Sequence, residues 1–322
     1  MVRYDYLRPG SIEEVIGLLQ KYGQGAMLIA GGTDVIVGIR QQKFDPQILL
    51  SLKGLKGLDR IESDGDGLRI GALTTHGKIA ESVFIRDAFS ALSDAVGHVG
   101  SLQIRNVATI GGNIANGLPS ADTACPLMVF NTQVKIRGPQ GERILPLHNF
   151  FVQPGKTALQ QDEILLELII PSLPPGSGSC YKKITRRAAM ELPILGIAMM
   201  LAVEMVNAEP LKEALAGKAP LEILYDALDQ SEIYCKEARV SLGVVAPTPI
   251  RANSAEAVLE GARLSKAILL EAGGKASKEA KPRDTMRGAA WFRKEMVRVL
   301  PKRLAITCLE RVLFPGEEIG VY

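Results

Sequence analysis

The stretch Thr109-Ile110-Gly111-Gly112-Asn113 says most about the fold of this chain. It follows the apolar pair Val107-Ala108, and a second glycine pair, Gly31-Gly32, follows the apolar run from residue 26 to residue 30. Glycine has no Cβ, so a ligand can come close to backbone N–H groups at such a position. One Gly-Gly turn is equally well explained as a tight strand-to-loop connection. Two of them in one chain predict a ligand with two phosphates.

Composition narrows the class of protein. The chain has 322 residues, of which 47% are hydrophobic and 23% charged, so it is long enough for two globular domains. Lys and Arg number 38 against 35 Asp and Glu, a balance that predicts no nucleic-acid partner. The N-terminus lacks the apolar core of a signal peptide, and the longest apolar stretch, 192–203, is too short to span a bilayer. We therefore predict a cytoplasmic protein without a transmembrane segment.

Metal and common nucleotide signatures are missing from the sequence. The four cysteines, at positions 125, 180, 235 and 308, are more than fifty residues apart, and three histidines show no ligand spacing. This pattern predicts no metal site and no iron–sulfur cluster within the chain. No G-x-G-x-x-G follows the first strand, and residues 71–78 do not match a P-loop. The sequence therefore predicts neither a Rossmann dinucleotide site nor a P-loop.

Local patterns predict an opening α/β unit followed by antiparallel strands. Ser11 and Glu14 have capping-box spacing at the start of a helix that Gly23 ends. Turn residues predict two hairpins, 58–73 and 133–145. A Pro/Gly/Ser-rich break covers 171–179. The other predicted elements are strands at 26–30, 48–52, 164–170, 181–203 and 238–245, and helices at 79–92, within 206–236, at 255–272 and at 284–313, with Pro301 kinking or splitting the last.

The second glycine pair lies in a longer specific segment, QIRNVATIGGNIANGLPSAD, at residues 103–122. This segment resembles the flavin-binding signature of the molybdenum hydroxylase flavoproteins, which include the FAD subunits or domains of xanthine dehydrogenase and aerobic carbon monoxide dehydrogenase. The first glycine motif resembles the N-terminal motif of the same family. Further similar segments follow in order at 163–166, 181–193, 242–252 and 283–293. The resemblance thus covers most of the chain.

The resemblance implies an α+β fold in two domains. Residues 1–176 would form a two-lobed, vanillyl-alcohol-oxidase-like (PCMH-type) FAD-binding domain, with lobes at about 1–57 and 58–176. Residues 177–322 would form a C-terminal domain made of a small antiparallel sheet with helices.

The resemblance also implies the residues that bind non-covalent FAD. The diphosphate and ribityl chain would be held, mainly by backbone N–H groups, by Leu28, Ile29, Ala30, Gly31, Gly32, Thr33, Asp34 and Val35 together with Thr109, Ile110, Gly111, Gly112 and Asn113. Asp122 would hydrogen-bond the cofactor, Leu165 or Leu166 would form an apolar wall, and Lys182 would lie near the flavin ring.

Each of these residues also has a structural interpretation. Asp122 fits a helix N-cap, Leu165 and Leu166 fit a core strand, and Lys182 fits a solvent-facing strand position. Cys125 reads as a buried thiol. We further expect His98 and Arg105 to support loops and caps, and Trp291 and Phe292 to lie in the core.

The implied function is that of a FAD-binding electron-transfer subunit. Electrons would come from the 2Fe-2S cluster of a small partner subunit and leave to an acceptor such as NAD or quinone, while a large partner subunit carries molybdopterin. No side chain of this chain would be catalytic, because the flavin carries the chemistry. Two alternatives are a stand-alone FAD-dependent oxidase or dehydrogenase, and a non-catalytic accessory protein that retains the fold. Stand-alone oxidases of this kind often link the flavin covalently to His or Cys, and neither glycine motif contains such a residue, which argues against that alternative. The intact glycines of both motifs argue against an accessory protein that has lost its flavin.

Overall fold

A computed structural model of the protein describes residues 4–317. The parts of the two predicted domains at 1–3 and 318–322 lie outside the described residues. The chain forms two compact units, each built from separate stretches. The first unit comprises residues up to 81, 99–118 and 131–172, and the second comprises 82–98, 119–130 and the residues from 173 onward.

The first unit mixes short helices with two main sheets. Its strands are Asp5–Leu7, Ala26–Ile29, Ile48–Ser51, Ile61–Ser63, Gly67–Gly71, Gln133–Gly138, Gly141–Pro146, Phe151–Gln153, Lys156–Thr157 and Ile164–Pro171. Its α-helices are Ile12–Tyr22, Val35–Arg40, His76–Ala80, Leu102–Arg105, Ile110–Ala115 and Leu147–Phe150, and 3-10 turns cover Gly23–Gly25 and Leu52–Gly54.

The first helix begins and ends as its sequence predicts. The Ser11 hydroxyl accepts the Glu14 N–H at 3.1 Å, while the Glu14 carboxylate accepts the Gly10 N–H at 2.7 Å rather than that of Ser11. Gly23 ends the helix at a φ of +51° and donates its N–H to the Leu19 carbonyl. The Ser11 hydroxyl thus satisfies an N–H of the first turn and the Gly23 N–H satisfies a carbonyl of the last turn, groups that would otherwise lack partners.

Two sheets organise the first unit. In the parallel sheet the central strand, Ile48–Ser51, is buried throughout and pairs with Asp5–Leu7 on one side and Ala26–Ile29 on the other. The five-stranded antiparallel sheet contains both predicted hairpins, which Ile164–Pro171 joins by pairing between them. Both hairpins and the strands at 26–30, 48–52 and 164–170 are thus confirmed.

The second unit has one antiparallel sheet covered by helices. Its strands are Ser177–Ile184, Leu195–Asn207, Glu232–Gly243 and Ile250–Arg251, paired in that order. Its helices are Val83–Ala88, Ser90–Gly97, Ala124–Val129, Glu209–Ala216, Leu221–Gln230, Asn253–Leu259, Lys266–Glu279 and Ala290–Leu313.

Three secondary-structure predictions differ from the structure, and one of them is the helix expected at 255–272, which is two helices, Asn253–Leu259 and Lys266–Glu279. The single helix expected at 79–92 is divided, because Ser82 caps a new helix and Phe89, at φ −126° and ψ 47°, separates the next two. The strand-like run 181–203 is two strands joined by the segment 185–194. For Pro301 two effects were open, a kink or a split; the split is wrong, because the last helix continues from Ala290 to Leu313, and the kink stays a prediction. The helices expected within 206–236 are confirmed.

The core of the second unit lies between its sheet and its C-terminal helices. Leu195, Ile197, Met199 and Leu201 alternate along one strand and belong to this core, together with residues of the helices Lys266–Glu279 and Ala290–Leu313. Two earlier helices, Ser90–Gly97 and Ala124–Val129, also pack on the sheet. No helix within residues 4–317 is both long and apolar enough to cross a membrane.

Candidate functional site

The first glycine pair forms a turn between the strand Ala26–Ile29 and the helix Val35–Arg40. Gly32 has a φ of +78°, which L-residues with side chains rarely adopt. Met27 to Ala30 are apolar yet only partly buried, so the end of this strand keeps accessible apolar surface. The turn therefore offers a positive-φ backbone beside a surface that can cover a planar or apolar group.

The backbone N–H groups of this turn are available. Within residues 4–317, no protein acceptor takes the N–H of Gly31, Gly32, Thr33 or Asp34, and Asp34 caps the following helix without a side-chain hydrogen bond. Consecutive N–H groups around a left-handed residue make a concavity that binds anions. The first glycine turn can therefore hold a phosphate.

The second glycine pair is not a loop, as the sequence suggested, but the first turn of the helix Ile110–Ala115. The Thr109 hydroxyl caps this helix by accepting the Gly112 N–H at 3.1 Å. The Ile110 and Gly111 N–H groups donate to the Thr74 and Ala72 carbonyls, and the Asn113 N–H donates to the Thr109 carbonyl. The expectation that free N–H groups line both glycine pairs is wrong for the second pair.

Packing explains why glycine occupies these positions. A Cβ on Gly111 would lie 2.5 Å from the Ala72 carbonyl oxygen, and one on Gly31 would lie 2.1 Å from the Val107 carbonyl oxygen. The latter approach brings the first glycine turn against the residues that lead into the second segment. The structure thus joins the two glycine segments, although the space beside Gly31 and Gly111 is filled by protein backbone and not left open for a ligand.

Leu165 and Leu166 lie in the interior of the first unit. Both belong to the strand Ile164–Pro171 and are almost fully buried, and a β-bulge interrupts the register between Leu165 and Glu167. Leu166 packs in a core cluster that includes Val15 and Leu19. The core interpretation of both leucines is therefore confirmed, and their contact with a cofactor stays a prediction.

Asp122 lies in the second unit, where two side chains hold its carboxylate. The Tyr181 hydroxyl donates to Oδ1 and the Lys183 ammonium donates to Oδ2, both at 2.9 Å. Lys183 also donates to the His98 carbonyl at 3.1 Å. Asp122 is only 6% exposed and does not cap a helix, since Thr123 occupies the N-cap position of Ala124–Val129. The N-cap interpretation of Asp122 is wrong.

Burial is the largest cause of the pKa shifts of Asp122, Tyr181 and His98. It raises the pKa of Asp122 above its usual value, while the Lys183 charge acts in the opposite direction. It also raises the pKa of the Tyr181 hydroxyl, which the nearby Asp122 charge reinforces. Burial, followed by the Lys183 charge, lowers the pKa of His98. The phenol therefore remains a donor and the imidazole remains neutral at physiological pH.

The lysine that the sequence predicted near the flavin, Lys182, precedes the lysine that pairs with Asp122, Lys183. Side chains alternate along a strand, so Tyr181 and Lys183 share one face of Ser177–Ile184, whereas Lys182 is exposed on the other. The available signal was the Tyr-x-Lys spacing within a strand, since it places both side chains on one face. The contact of Lys182 with the flavin stays a prediction.

Other residues have structural roles. Cys125 is buried, and burial raises the pKa of its thiol to about 12. Arg105 donates to the Val99 carbonyl at 3.3 Å, in agreement with a loop-supporting role. The expectation that Trp291 lies in the core is wrong, because its residue surface is 71% exposed. No group of three or more His, Cys, Asp or Glu side chains within residues 4–317 could hold a metal ion.

The described residues fit a dinucleotide cofactor. In the first unit, the N–H groups of the first glycine turn have no protein acceptor within residues 4–317 and suit a phosphate, and the partly buried apolar strand end suits the adjoining groups. These features define the chain as an α+β protein with a candidate site for a phosphate-bearing cofactor in its first unit.

Family models cover nearly the whole chain. Residues 2–173 match the FAD binding domain in molybdopterin dehydrogenase, and residues 179–308 match the CO dehydrogenase flavoprotein C-terminal domain. The chain belongs to this family of FAD-binding molybdopterin dehydrogenase proteins. It is the FAD-binding subunit of a molybdenum hydroxylase-type dehydrogenase and hence an oxidoreductase subunit, which confirms the predicted family, fold class and cofactor.

Individual relatives match over almost their full length. The xanthine dehydrogenase FAD-binding subunit of Escherichia coli O157:H7 is 31% identical over 301 residues, covering 93% of this chain and 94% of the relative. The carbon monoxide dehydrogenase medium chain of Afipia carboxidovorans is 29% identical over 300 residues, covering 93% and 94%. Among solved structures, carbon monoxide dehydrogenase from Hydrogenophaga pseudoflava has a TM-score of 0.84 at 26% identity, covering 96% of this chain and 98% of that one.

Proposed function

We propose that this chain carries electrons between partner subunits and an external acceptor. Electrons enter from a 2Fe-2S cluster in a small subunit, pass through FAD bound to this chain, and leave to an acceptor such as NAD or quinone. A large subunit holds molybdopterin and transforms the substrate. We place the complex in the cytoplasm. Support comes from the relatives, which are named as medium chains or FAD-binding subunits of dehydrogenases.

The proposed FAD site contains the residues inferred from the family resemblance, with the phosphates at the first glycine turn. The observation that supports this placement is that no acceptor in the described part of the chain takes the N–H groups of Gly31 to Asp34. Residues 28–35 would bind the diphosphate side of the cofactor, and residues 109–113, Asp122, Leu165, Leu166 and Lys182 would contact further groups. We keep the domain boundary at 176/177, and the lobe boundary at about 57/58, as proposals.

Each part of the chain then has a limited task. When bound, FAD supplies a centre that accepts and releases electrons. The first glycine turn would neutralise phosphate charge with oriented N–H dipoles, and Asp122 would orient the cofactor by accepting a hydrogen bond. These groups bind and orient, and no proton transfer by a side chain of this chain is required.

A variant of Gly32 tests the site. Gly32→Ala forces a side chain onto a φ of +78° and reorients the N–H groups on either side, so we expect FAD affinity to fall at least tenfold. The matched control is Gly65→Ala, which has a φ of +86° in a hairpin turn with no atoms near the added Cβ. Titration with FAD, followed by protein fluorescence and flavin absorbance, gives both affinities.

Equal FAD affinity in Gly32→Ala and Gly65→Ala would contradict the phosphate site. Electron transfer is tested separately, by reducing the flavin of the assembled complex with substrate and recording its reoxidation by NAD or a quinone. A purified chain that oxidises small organic substrates without partner subunits would favour the stand-alone oxidase instead.

A further inference from the structure

The carboxylate of Asp122 accepts hydrogen bonds from two side chains on one face of the strand Ser177–Ile184, and one of these side chains also donates to the end of a helix. Tyr181 and Lys183 each give one hydrogen bond to a different carboxylate oxygen. The second hydrogen bond of the Lys183 ammonium goes to the carbonyl of His98, at the C-terminal end of the helix Ser90–Gly97. Lys183 is therefore fixed at two points, and it fixes Asp122 in turn.

The ion pair is buried at both ends. The side chains of Lys183 and Asp122 are 6% and 7% exposed. A charge at such a position is stable only with a partner, because removal of either member leaves an uncompensated buried charge. Lys183 is thus the group that allows a carboxylate, rather than a neutral carboxylic acid, to exist at Asp122.

We propose that Lys183 is a positioning residue of the cofactor site, which holds Asp122 as an ionised hydrogen-bond acceptor oriented toward FAD. The inference rests on the proposed contact between Asp122 and FAD. Each carboxylate oxygen can accept a second hydrogen bond beyond those from Tyr181 and Lys183. A protonated Asp122 would instead carry a donor on one oxygen, which mismatches a donor on the cofactor.

The surroundings of Asp122 contain few other titratable groups. Tyr181 and Lys183 face it from the strand Ser177–Ile184, His98 from the end of the helix Ser90–Gly97, and Cys125 from the helix Ala124–Val129. The pKa values of Tyr181 and Cys125 are raised and that of His98 is lowered, so all three are neutral near pH 7. Lys183 is the cation that pairs with Asp122.

Removal of Lys183 should make FAD binding more sensitive to low pH. Burial raises the pKa of Asp122 and Lys183 opposes that rise, so loss of Lys183 raises the pKa further. As the pH falls through this higher pKa, Asp122 becomes protonated and ceases to be an acceptor. FAD binding to a Lys183 variant should therefore weaken more steeply toward low pH than binding to the wild type does.

The first experiment measures Asp122 without any cofactor. The side-chain carboxyl carbon of Asp122 is followed by NMR through a pH titration in the full chain, as wild type and as Lys183→Met. We expect the proton affinity of Asp122 to rise about tenfold or more in the variant. The control is Lys236→Met, which removes an exposed lysine paired with Glu204 in the same sheet and should leave the Asp122 titration unchanged.

The second experiment measures FAD binding. At pH 6 relative to pH 8, Lys183→Met should lose about tenfold more affinity for FAD than the wild type does, and Lys183→Arg should restore the wild-type profile because it restores the charge. If Lys183→Met does not fold, Lys183→Gln replaces it, since the amide keeps a hydrogen bond to Asp122 without the charge.

The outcomes separate the two proposals. An Asp122 titration identical in wild type and Lys183→Met overturns the role of Lys183, as does an unchanged pH profile of FAD affinity in that variant. If Asp122→Asn binds FAD as tightly as wild type at every pH, the proposed contact of Asp122 with FAD fails instead. A variant that loses only thermal stability, with the wild-type Asp122 titration, shows a purely structural lysine and also overturns the inference.

Discussion

Gly31 lies directly against the backbone of Val107, so a Cβ on Gly31 would approach the Val107 carbonyl oxygen to 2.1 Å and the Ala108 Cα to 2.8 Å. Backbone atoms cannot rotate aside as a flexible side chain can. This contact joins the two glycine segments of the first unit, and it makes the first glycine a packing requirement.

Gly31→Ala should therefore destabilise the protein. We expect a loss of about 2–4 kcal/mol in the free energy of unfolding, because the added methyl forces backbone segments apart. Urea unfolding measures the loss. Gly274→Ala, in the helix Lys266–Glu279 with no atom within 4 Å of the added Cβ, should be neutral or stabilising by up to about 1 kcal/mol. A Gly31→Ala protein as stable as Gly274→Ala would refute the contact.

His76 should make the protein sensitive to acid. Its side chain is fully buried, both ring nitrogens lack a hydrogen-bond partner within residues 4–317, and burial with the Arg105 charge lowers its pKa to about 4. The unfolded chain takes up this proton near pH 6.5 but the folded chain does not, so stability falls as the pH drops from 6.5 toward 4.

The comparison of wild type with His76→Phe isolates this contribution. Between pH 7.5 and pH 5, the wild type should lose about 2 kcal/mol more of its free energy of unfolding than the variant does. Chemical denaturation at both pH values provides the measurement. Parallel losses in the two proteins would show that His76 titrates normally in the folded state.

Glu310 should make the protein less stable as the pH rises, whereas His76 makes it less stable as the pH falls. It is buried in the last helix, its Oε1 has no partner within residues 4–317, and burial raises its pKa to about 7. The folded state holds this proton between pH 4.5 and 7 while the unfolded state releases it, so the wild type loses stability as the pH rises through that interval.

Glu310→Gln removes the titrating group at nearly constant shape. Relative to wild type, the variant should gain about 1–3 kcal/mol in unfolding free energy when the pH is raised from 4.5 to 8. Thermal or urea denaturation across this range tests the prediction. A constant difference between the two proteins at all pH values would contradict it.

The four cysteines should be unreactive in the folded protein. All are buried thiols, and burial raises the pKa of Cys125 and of Cys235 to about 12 and that of Cys180 well above its usual value. Because the thiolate is the reactive form, modification must wait for unfolding. Reaction with a chromogenic disulfide should release four equivalents only in denaturant, and rapid native labelling of any thiol would show a site more open than described.

Local chemistry carried much of the fold prediction. The Ser11 cap, Gly23, the two turn-marked hairpins and the buried strands depend on neighbours in sequence, so pattern alone identified them. Long-range contacts decided the rest. The N–H groups at Ile110 and Gly111 are used by carbonyls some forty residues away in the chain, so their occupation was not visible in the sequence.

The site prediction shows the same division. Asp122 was selected by resemblance, but its ion pair with Lys183 depends on which strand face meets Asp122, and the face that a strand presents is fixed by its partners. Trp291 was expected in the core together with Phe292, yet it is exposed on the last helix. Hydrophobicity predicts burial on average and does not determine it for a single residue.

The second unit is assembled from three separate stretches of the chain, and this limits where the protein can be divided into fragments. The helices Ser90–Gly97 and Ala124–Val129 belong to that unit and pack on its sheet, although they precede the break at 171–179 by many residues. A fragment starting after the break would expose the sheet surface that these helices cover and would lack Asp122. Chimeras that exchange the C-terminal part between relatives must therefore transplant three stretches of chain together.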